Sequence, residues 1–413
     1  MKKWIVTVLI FIFSLSIITG CGKSETEEES ADLLDVQWKD IVAESKGQTV
    51  NMYMWGGDDA VNRYMDEWIA PRLKETFDIT LNRVPINDAK DMINKLLTEK
   101  EVNKSEGSMD IFWINGENFK LAKENNLLWR AFAEKLPNYN DYVNKDAKEI
   151  QYDFGEATEG LEIPWGKSQF VFIYDTEKIK TPPKSMEALK EFVKENPGKF
   201  TYPAPPDFTG SAFIRHALFE TTGGYEQYLA PLNKDKFQIQ AESLWEYLNE
   251  IKPYLWREGK TYPESSAKLD QLYENGEVWM TMSYNPVHAA RKVKTGQFSP
   301  TTKTFVLDRG TLANTHYLSI PFNATHKAGA MVAINFMLSP AAQMTKFDPA
   351  HWGDGMALSA DKLSAEDQKA LNNIDRGEAT LSPQVLERHR IPEISGVYVN
   401  QIEKGWMEHV AKE

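Results

Sequence analysis

Residues 50–61 read Val50-Asn51-Met52-Tyr53-Met54-Trp55-Gly56-Gly57-Asp58-Asp59-Ala60-Val61. The alternation of Val50, Met52 and Met54 with other residues predicts a β-strand, and the glycine pair that follows predicts a turn. After the turn, apolar residues recur at helical spacing as far as Leu73, with an aspartate available as N-cap. The segment therefore predicts a strand, a glycine turn and a helix in succession.

The same unit recurs further along the chain. We predict strands over 79–84 and 109–114, a helix over 89–97 between them, and a loop at Asn115-Gly116-Glu117 after the second strand. Strands that alternate with helices favour a mostly parallel sheet, whose ligands bind beyond the carboxyl ends of the strands. We therefore expect the Gly56-Gly57 and Asn115-Gly116 loops to lie on one rim.

A second pattern of alternating elements follows. It predicts strands over 170–174, 199–202, 277–284 and 304–308, helices over 185–195 and 245–256, a sharp turn over 203–211 before a helix starting near Ala212, and a return through 317–321 to a helix over 328–338. This order favours two lobes between which the chain crosses more than once.

Composition excludes several classes of protein. The 413 residues hold 47 Lys and Arg against 60 Asp and Glu, a formal net charge of -13, and one cysteine. Such an acidic surface repels phosphate backbones, so we expect no nucleic-acid partner. A single cysteine excludes a disulfide framework and a cysteine-based metal site within one chain.

The one cysteine, Cys21, follows a basic start, Lys2-Lys3, and a nearly continuous apolar run over 5–18. This arrangement resembles the bacterial lipobox, in which the cysteine thiol takes a diacylglycerol after cleavage. It predicts a signal peptide over 1–20 and a lipidated N-terminus with a flexible stalk over 21–34. We expect a monomer anchored by lipid to the extracytoplasmic face of the cell membrane; an ordinary signal peptide with a chance cysteine is the alternative.

Segments spread along the chain resemble the solute-binding components of bacterial ABC transporters with the type II periplasmic-binding-protein fold. The similarity is closest to the YnjB-like branch, near the thiamine, polyamine and iron binders. The residues that carry it are Trp55 to Tyr64, Phe112 to Phe119, Pro164-Trp165-Gly166, Phe200 to Phe208, Pro253 to Trp256, Asn314-Thr315-His316 and Trp352-Gly353-Asp354.

The resemblance implies an α/β protein of two lobes, each a mixed sheet flanked by helices, with a ligand cleft between them and an ABC permease as partner. We expect the first lobe over 42–163 plus 311–358 and the second over 164–310. The remaining 359–413 is expected to form a helical segment that packs on the lobes, and we assign it no chemistry.

Glycine turns and helix N-termini let a ligand approach unpaired N–H groups. Three segments meet this description, at Gly56-Gly57, Asn115-Gly116 and Thr209-Gly210-Ser211. Together they predict a place for a carboxylate, sulfate or phosphate group. The alternative is that each glycine only permits a turn.

Aromatic residues occur in the same loops. Trp55, Trp165 and Trp352 stand beside glycine or proline, and with nearby acids they suit an organic cation or heteroaromatic ring; core packing is the alternative. The predicted ligand-binding set is Trp55, Gly56, Asp58, Asn115, Glu117, Trp165, Tyr202, Asp207, Thr209, Ser211, Trp256, Tyr284, Asn285, Asn314, His316 and Trp352.

The seven histidines lack metal-ligand spacing, and we expect neither a metal nor a cofactor. The chain also lacks G-x-S-x-G, H-E-x-x-H and phosphate-binding loop motifs. We therefore predict an extracytoplasmic receptor that captures a small cationic or heteroaromatic solute, thiamine-like or amine-like. A secreted carbohydrate hydrolase with paired carboxylates such as Asp58 and Asp354, or a binder of an anionic solute, is the alternative.

Overall fold

The computed structural model describes residues 32–86 and 89–412. The predicted signal peptide and Cys21 lie outside these residues. The strands are β1 Thr49–Trp55, β2 Thr80–Ile86, β3 Ile111–Ile114, β4 Tyr152–Asp153, β5 Glu156–Ala157, β6 Glu162–Gln169, β7 Val171–Asp175, β8 Met280–Ser283, β9 Thr302–Phe305, β10 Thr311–Ser319, β11 Gly355–Met356 and β12 Arg390–Pro392.

The helices alternate with these strands over most of the chain. They are α1 Trp38–Ser45, α2 Asp59–Arg63, α3 Ala70–Phe77, α4 Ala89–Glu101, α5 Gly116–Glu124, α6 Pro137–Tyr142, α7 Lys148–Gln151, α8 Met186–Glu195, α9 Phe208–Thr222, α10 Lys234–Ile251, α11 Ser266–Glu274, α12 His288–Lys294, α13 Lys327–Met337, α14 Pro340–Phe347, α15 Ala365–Asn372, α16 Pro383–Arg388 and α17 Gly396–Trp406. A π-helical segment, Tyr64–Ile69, joins α2 to α3, and another, Met407–Ala411, follows α17.

The larger sheet has the strand order β11-β6-β10-β3-β1-β2, and β12 also pairs with β10. β1 is parallel to β2 and β3, whereas β10 runs antiparallel to β3 and β6 because the chain returns along them. One face packs on a core that includes Val50, Trp165 and Ile334, and the other on Phe119 and Tyr317. We call this part the large-sheet lobe.

The smaller sheet has the order β8-β7-β9, with both pairs antiparallel. Its core includes Phe172, Phe213 and Leu244, and the C-terminal helix α17 adds Ile402 and Trp406 to it. We call this part, with α17, the small-sheet lobe.

The chain passes between the sheets at Phe170, which separates β6 from β7, and again between β9 and β10. The expected lobe boundary at 163/164 falls inside β6, which lies wholly in the larger sheet. The division into residue ranges stays a prediction.

Two sequence-based element predictions are wrong. Residues 199–202 form no strand, because single hydrogen bonds to Trp256 and Trp279 replace a ladder there. The helix expected near Ala212 begins at Phe208, since Asp207 caps it. None of the described helices has the length and apolar character that crossing a membrane requires.

Candidate functional site

The loop after β1 is built around Asp58. Its Oδ1 accepts hydrogen bonds from the backbone N–H groups of Ala60 at 2.7 Å and Val61 at 3.4 Å, so it caps α2 as predicted. The carbonyl oxygen of Gly56 accepts a hydrogen bond from Asn62 Nδ2 at 2.9 Å, and this bond holds Gly56 in place. Trp55, at the end of β1, remains 46% exposed. This loop therefore presents a tryptophan at the rim.

The loop after β3 begins α5. Gly116 has φ +59°, and the ring of Phe154 lies where a Cβ would stand. Its backbone N–H donates to the buried carboxylate of Asp153. The neighbouring Glu117 packs against Gly396 and accepts a hydrogen bond from Asn400, both in α17. This rim loop therefore contacts the C-terminal segment.

The third predicted segment is the first turn of α9. The Asp207 carboxylate accepts from Thr209 N at 3.0 Å, Gly210 N at 2.9 Å and Ser266 N at 3.0 Å. Burial raises the pKa of Asp207, against the lowering effect of these hydrogen bonds. Thr209 and Ser211 are buried in the first turn instead of standing in a loop.

These three segments share one property. At each of them a carboxylate of the chain itself accepts the first N–H groups of the helix: Asp58 for α2, Asp153 for α5 and Asp207 for α9. At α2 and α9 two N–H groups of the helix end are thus already bound by a carboxylate, whereas at α5 the partner Asp153 accepts one N–H group and burial favours its protonated form. An anionic ligand would have to displace or approach these carboxylates.

A polar and aromatic cluster connects α9 with β8 and the C-terminal segment. Arg215 Nη2 lies 3.2 Å from Glu393 Oε2 and donates to the hydroxyl of Tyr284 at 3.2 Å. Tyr284 in turn donates to Glu393 Oε1 at 2.5 Å, and Arg215 Nη1 donates to Ser211 Oγ at 3.0 Å. Phe208 lies beside Tyr284, with ring centroids 4.7 Å apart, and is 45% exposed.

Sequence reasoning found Ser211 and Tyr284 but missed Arg215 and Glu393. Arg215 lies in the middle of a helix, and Glu393 lies in a segment to which no chemistry was assigned. Neither residue stands in a motif, so nothing local in the sequence marks them.

Three predicted aromatic residues lie together inside the large-sheet lobe. Trp165, His316 and Trp352 are buried, with ring centroids 5.1 to 5.9 Å apart. Below the rings, Asp354 Oδ2 lies 2.7 Å from Lys346 Nζ and 2.9 Å from His316 Nε2. A ligand could touch these rings only if this core opened, so their role in binding stays a prediction.

Each of the remaining predicted residues contacts a different partner. Tyr202 is buried and its hydroxyl accepts from Trp406 Nε1 at 3.0 Å. Trp256 Nε1 donates to Glu277 at 3.1 Å. Asn285 Oδ1 accepts from the N–H of the second residue after it at 3.1 Å, and Asn314 Oδ1 accepts from Ser168 Oγ at 2.8 Å. Asn115 precedes α5 without capping it by its side chain.

Two buried acids lie behind the loop after β3. Burial raises the pKa of Asp153 and of Glu162 well above the usual range of carboxyl groups. The negative charge of Glu393 raises that of Asp153 further, and Asp153 does the same to Glu162. Both carboxylate oxygens of Glu162 lack a hydrogen-bond partner among the described residues. The region between α5 and the C-terminal segment thus holds two buried carboxyl groups for which burial favours the neutral, protonated form.

Other kinds of site receive no support from the described residues. Within 32–86 and 89–412, no group of His, Cys, Asp and Glu side chains is arranged to hold a metal ion. Two surface cavities of about 330 and 380 Å³ lie beside Trp129 and beside Tyr139, and neither includes a predicted site residue.

Residues 67–369 match the family described as bacterial extracellular solute-binding protein. The protein YnjB of Escherichia coli (strain K12) is 39% identical over 371 residues, which cover 90% of this chain and 93% of YnjB.

Solved structures share the fold at low identity. The spermidine/putrescine ABC transporter substrate-binding protein PotD of Streptococcus pneumoniae superposes with a TM-score of 0.63 at 13% identity, over 88% of this chain and 98% of PotD. The periplasmic binding protein AfuA of Actinobacillus pleuropneumoniae, with fructose-6-phosphate bound, gives 0.61 at 15% identity, over 89% and 99%. The family that residues 67–369 match is one of solute-binding proteins and not of enzymes, so the hydrolase alternative is wrong.

Proposed function

The chain belongs to the bacterial extracellular solute-binding proteins of ABC transporters, and we propose that its solute is a small organic cation, amine-like or thiamine-like, held between the two lobes and passed to a membrane permease. The observation that carries this proposal is the capping of α2 and α9 by the side chains of Asp58 and Asp207.

The capped helix ends favour a cation for an electrostatic reason. A free helix N-terminus attracts anions, but a terminus that already holds a carboxylate offers no unmatched positive charge. At α2 and α9 the carboxyl groups of Asp58 and Asp207 already bind the N–H groups of the helix ends. Bringing an anion here costs Coulomb energy, whereas bringing a cation recovers it.

The exposed aromatic rings support the same ligand class. Trp55 extends from the large-sheet lobe and Phe208 from the small-sheet lobe, each nearly half exposed. A cation over such a ring gains about 0.5 to 2 kcal/mol. PotD, which is named for spermidine and putrescine, shares the fold.

An anionic solute is the second candidate, since AfuA holds fructose-6-phosphate within the same fold. On this chain it would require Asp58, Asp153 or Asp207 to release its backbone N–H groups.

A thermal-shift screen tests the ligand class directly. The full mature chain is melted with putrescine, spermidine, thiamine, choline, neutral sugars, phosphate, sulfate and a sugar phosphate. A ligand at 100 times its Kd adds about 2.7 kcal/mol to the free energy of unfolding, which gives a clear rise in Tm. We expect stabilisation by one or more of the cations. Stabilisation by the oxyanions alone would contradict the proposal.

Binding is expected to draw the lobes together by a hinge motion. Ligand contacts that exist only in the closed arrangement shift the population toward it, and the closed form docks on the permease. Polar contacts already cross between the lobes, among them those from Asp58 to Arg291 and from Glu117 to Asn400.

We further propose that Cys21 carries a lipid that anchors the protein to the extracytoplasmic face of the membrane, because it follows a basic and apolar leader. Intact mass analysis of membrane-bound protein should find a diacylglycerol-modified N-terminal cysteine. The variant Cys21→Ser should appear in the soluble fraction, and a fraction unchanged by the substitution would overturn the anchor.

A further inference from the structure

The C-terminal segment enters between the lobes. β12 pairs in parallel with β10, with Leu312 opposite Ile391, so that the chain beyond it starts beside the strand that follows the second passage between the sheets. Gly396, at the start of α17, then packs against Glu117 on the rim loop of the large-sheet lobe. The residues between β12 and α17 thus lie where the two lobes face each other.

Glu393 is the charged residue of this short connection. It is 6% exposed, and its Oε1 accepts hydrogen bonds from the hydroxyl of Tyr284 at 2.5 Å and from Arg215 Nη2 at 3.4 Å. Its Oε2 is 3.2 Å from Arg215 Nη2 but has no aligned hydrogen bond within the described chain. The Nε of Arg215 is likewise buried and without a hydrogen-bond partner there. A buried carboxylate with unused acceptor capacity is costly unless something else occupies it.

The surroundings of Glu393 suit a cationic donor. Phe208 lies next to Tyr284 and exposes almost half of its surface. The Arg215 guanidinium carbon is 6.0 Å from the Phe208 ring, so one cation already lies close to this aromatic face. On the other side, the charge of Glu393 acts on Asp153. Glu393 thus lies between the guanidinium of Arg215 and the buried carboxyl group of Asp153 in its electrostatic effects.

We propose that Glu393 binds the cationic nitrogen of the solute, with Phe208 packing against the same group. This assignment rests on the proposed function and adds a third wall to the site, supplied by the C-terminal segment. The unfilled acceptor of Glu393 requires a nitrogen that carries hydrogen. The ligand class is accordingly a protonated primary or secondary amine, or an amino-substituted aromatic cation, and not a quaternary ammonium ion.

Calorimetric titration of the full mature chain tests the assignment, with putrescine, spermidine, thiamine and choline as probes. Glu393→Gln keeps the shape and removes the charge, and we expect it to weaken binding of the cation that the wild type prefers by about tenfold or more. Glu393→Asp should recover part of the affinity. The matched control is Glu99→Gln, which changes another buried carboxylate, paired with Lys95 and Lys104 on α4 and its following loop. It should bind like the wild type.

The outcomes separate the two proposals. If the wild type binds none of the cations, the proposed function fails. If it binds one and Glu393→Gln binds equally well, the assignment of Glu393 fails while the function stands. A preference for choline over the amines would also overturn the assignment.

Because Glu393→Gln leaves Arg215 buried without its counter-ion, the variant can lose stability. In that case a crystal structure of the wild type with its cation decides. A ligand nitrogen within about 3.5 Å of a Glu393 carboxylate oxygen supports the assignment, and a ligand nitrogen elsewhere refutes it.

Discussion

Arg291 and Asp58 form an ion pair between the lobes, with Arg291 Nη2 at 3.0 and 3.1 Å from the two carboxylate oxygens of Asp58. Asp58 lies in the rim loop of the large-sheet lobe, and Arg291 lies on α12 of the small-sheet lobe. Nη1 of the same side chain donates to the carbonyl of Trp352 at 3.1 Å. One arginine thus joins a rim loop, the core of one lobe and a helix of the other.

The pKa of Asp58 reflects this contact. Burial raises the pKa, but the charge and hydrogen bonds of Arg291 more than compensate and lower it below the usual value. A carboxyl group with a lowered pKa stabilises the folded protein above its unfolded pKa of about 3.9, and this contribution is lost as the pH falls through the folded value. The contact between the lobes is therefore fully formed at neutral pH.

We predict that Arg291→Met weakens solute binding about fivefold, since a partly buried ion pair that favours the closed lobes contributes about 1 kcal/mol. Calorimetry measures the affinity, and small-angle scattering should show a larger mean radius. Lys294→Met, on the same helix, is the control and should have no effect. An unchanged affinity for Arg291→Met would contradict the prediction, because it would show that the ion pair does not favour the closed arrangement of the lobes.

The exposed aromatic rings give a second prediction. Trp55→Ala and Phe208→Ala should each lower affinity for the cation between about twofold and thirtyfold, the equivalent of 0.5 to 2 kcal/mol, while Tm changes little. Ile239→Ala, an exposed apolar residue on α10, serves as control. The prediction is wrong if Ile239→Ala and the two ring variants bind alike.

The buried cation of the large-sheet lobe gives a third prediction. Lys346 Nζ donates to Asp354 at 2.7 Å, and also to the carbonyls of Trp165 at 2.6 Å and Gly355 at 3.0 Å. Lys346→Met leaves the buried carboxylate of Asp354 without the positive charge of the lysine, and it should lower the free energy of unfolding by about 3 to 5 kcal/mol.

Urea unfolding measures this loss. Lys74→Met, which removes an exposed ion pair with Asp78, is the control and should cost at most about 1 kcal/mol. Equal losses in the two variants would contradict a structural role for Lys346.

His216 gives a fourth prediction, for acid stability. Its Nε2 accepts a hydrogen bond from the backbone N–H of Leu312 at 2.9 Å, which requires the neutral ring. Burial first, and then the charge of Arg215, lower the pKa of His216 to about 3. In the unfolded chain the pKa is about 6.5, so stability is intact above that pH and falls as the pH drops toward 3.

The variant His216→Gln keeps an acceptor and removes the titration. Its free energy of unfolding should therefore depend less on pH than that of the wild type, by up to about 1.4 kcal/mol per pH unit below pH 6.5. Urea unfolding at several pH values measures the slope. His351→Gln, at an exposed position, should keep the wild-type slope, and a wild-type slope in His216→Gln would refute the prediction.

Local patterns predicted the parts of the fold that depend on neighbours in sequence. The alternation ending at Met54 predicted β1, and the helical spacing of the later residues predicted a cap at Asp58 or Asp59, of which the structure has Asp58. The mixed sheet was harder, since β10 reaches β3 and β6 only through the return of the chain.

The site was less predictable for the same reason. Trp165 stands between proline and glycine and suggested a loop, yet it lies on β6 of the larger sheet, inside a core. Arg215 and Glu393 are 178 residues apart and meet only through the tertiary fold, so their types and positions in sequence carried no sign of the pair.

The pairing of β12 with β10 also affects how the protein folds during its synthesis. A nascent chain can form most of both sheets once β10 has been synthesised, but the partner of Arg215 arrives only with the closing residues. A chain that ends before Arg390 lacks Glu393, so the buried guanidinium of Arg215 has no carboxylate to compensate its charge. Cellular quality control should remove such a chain.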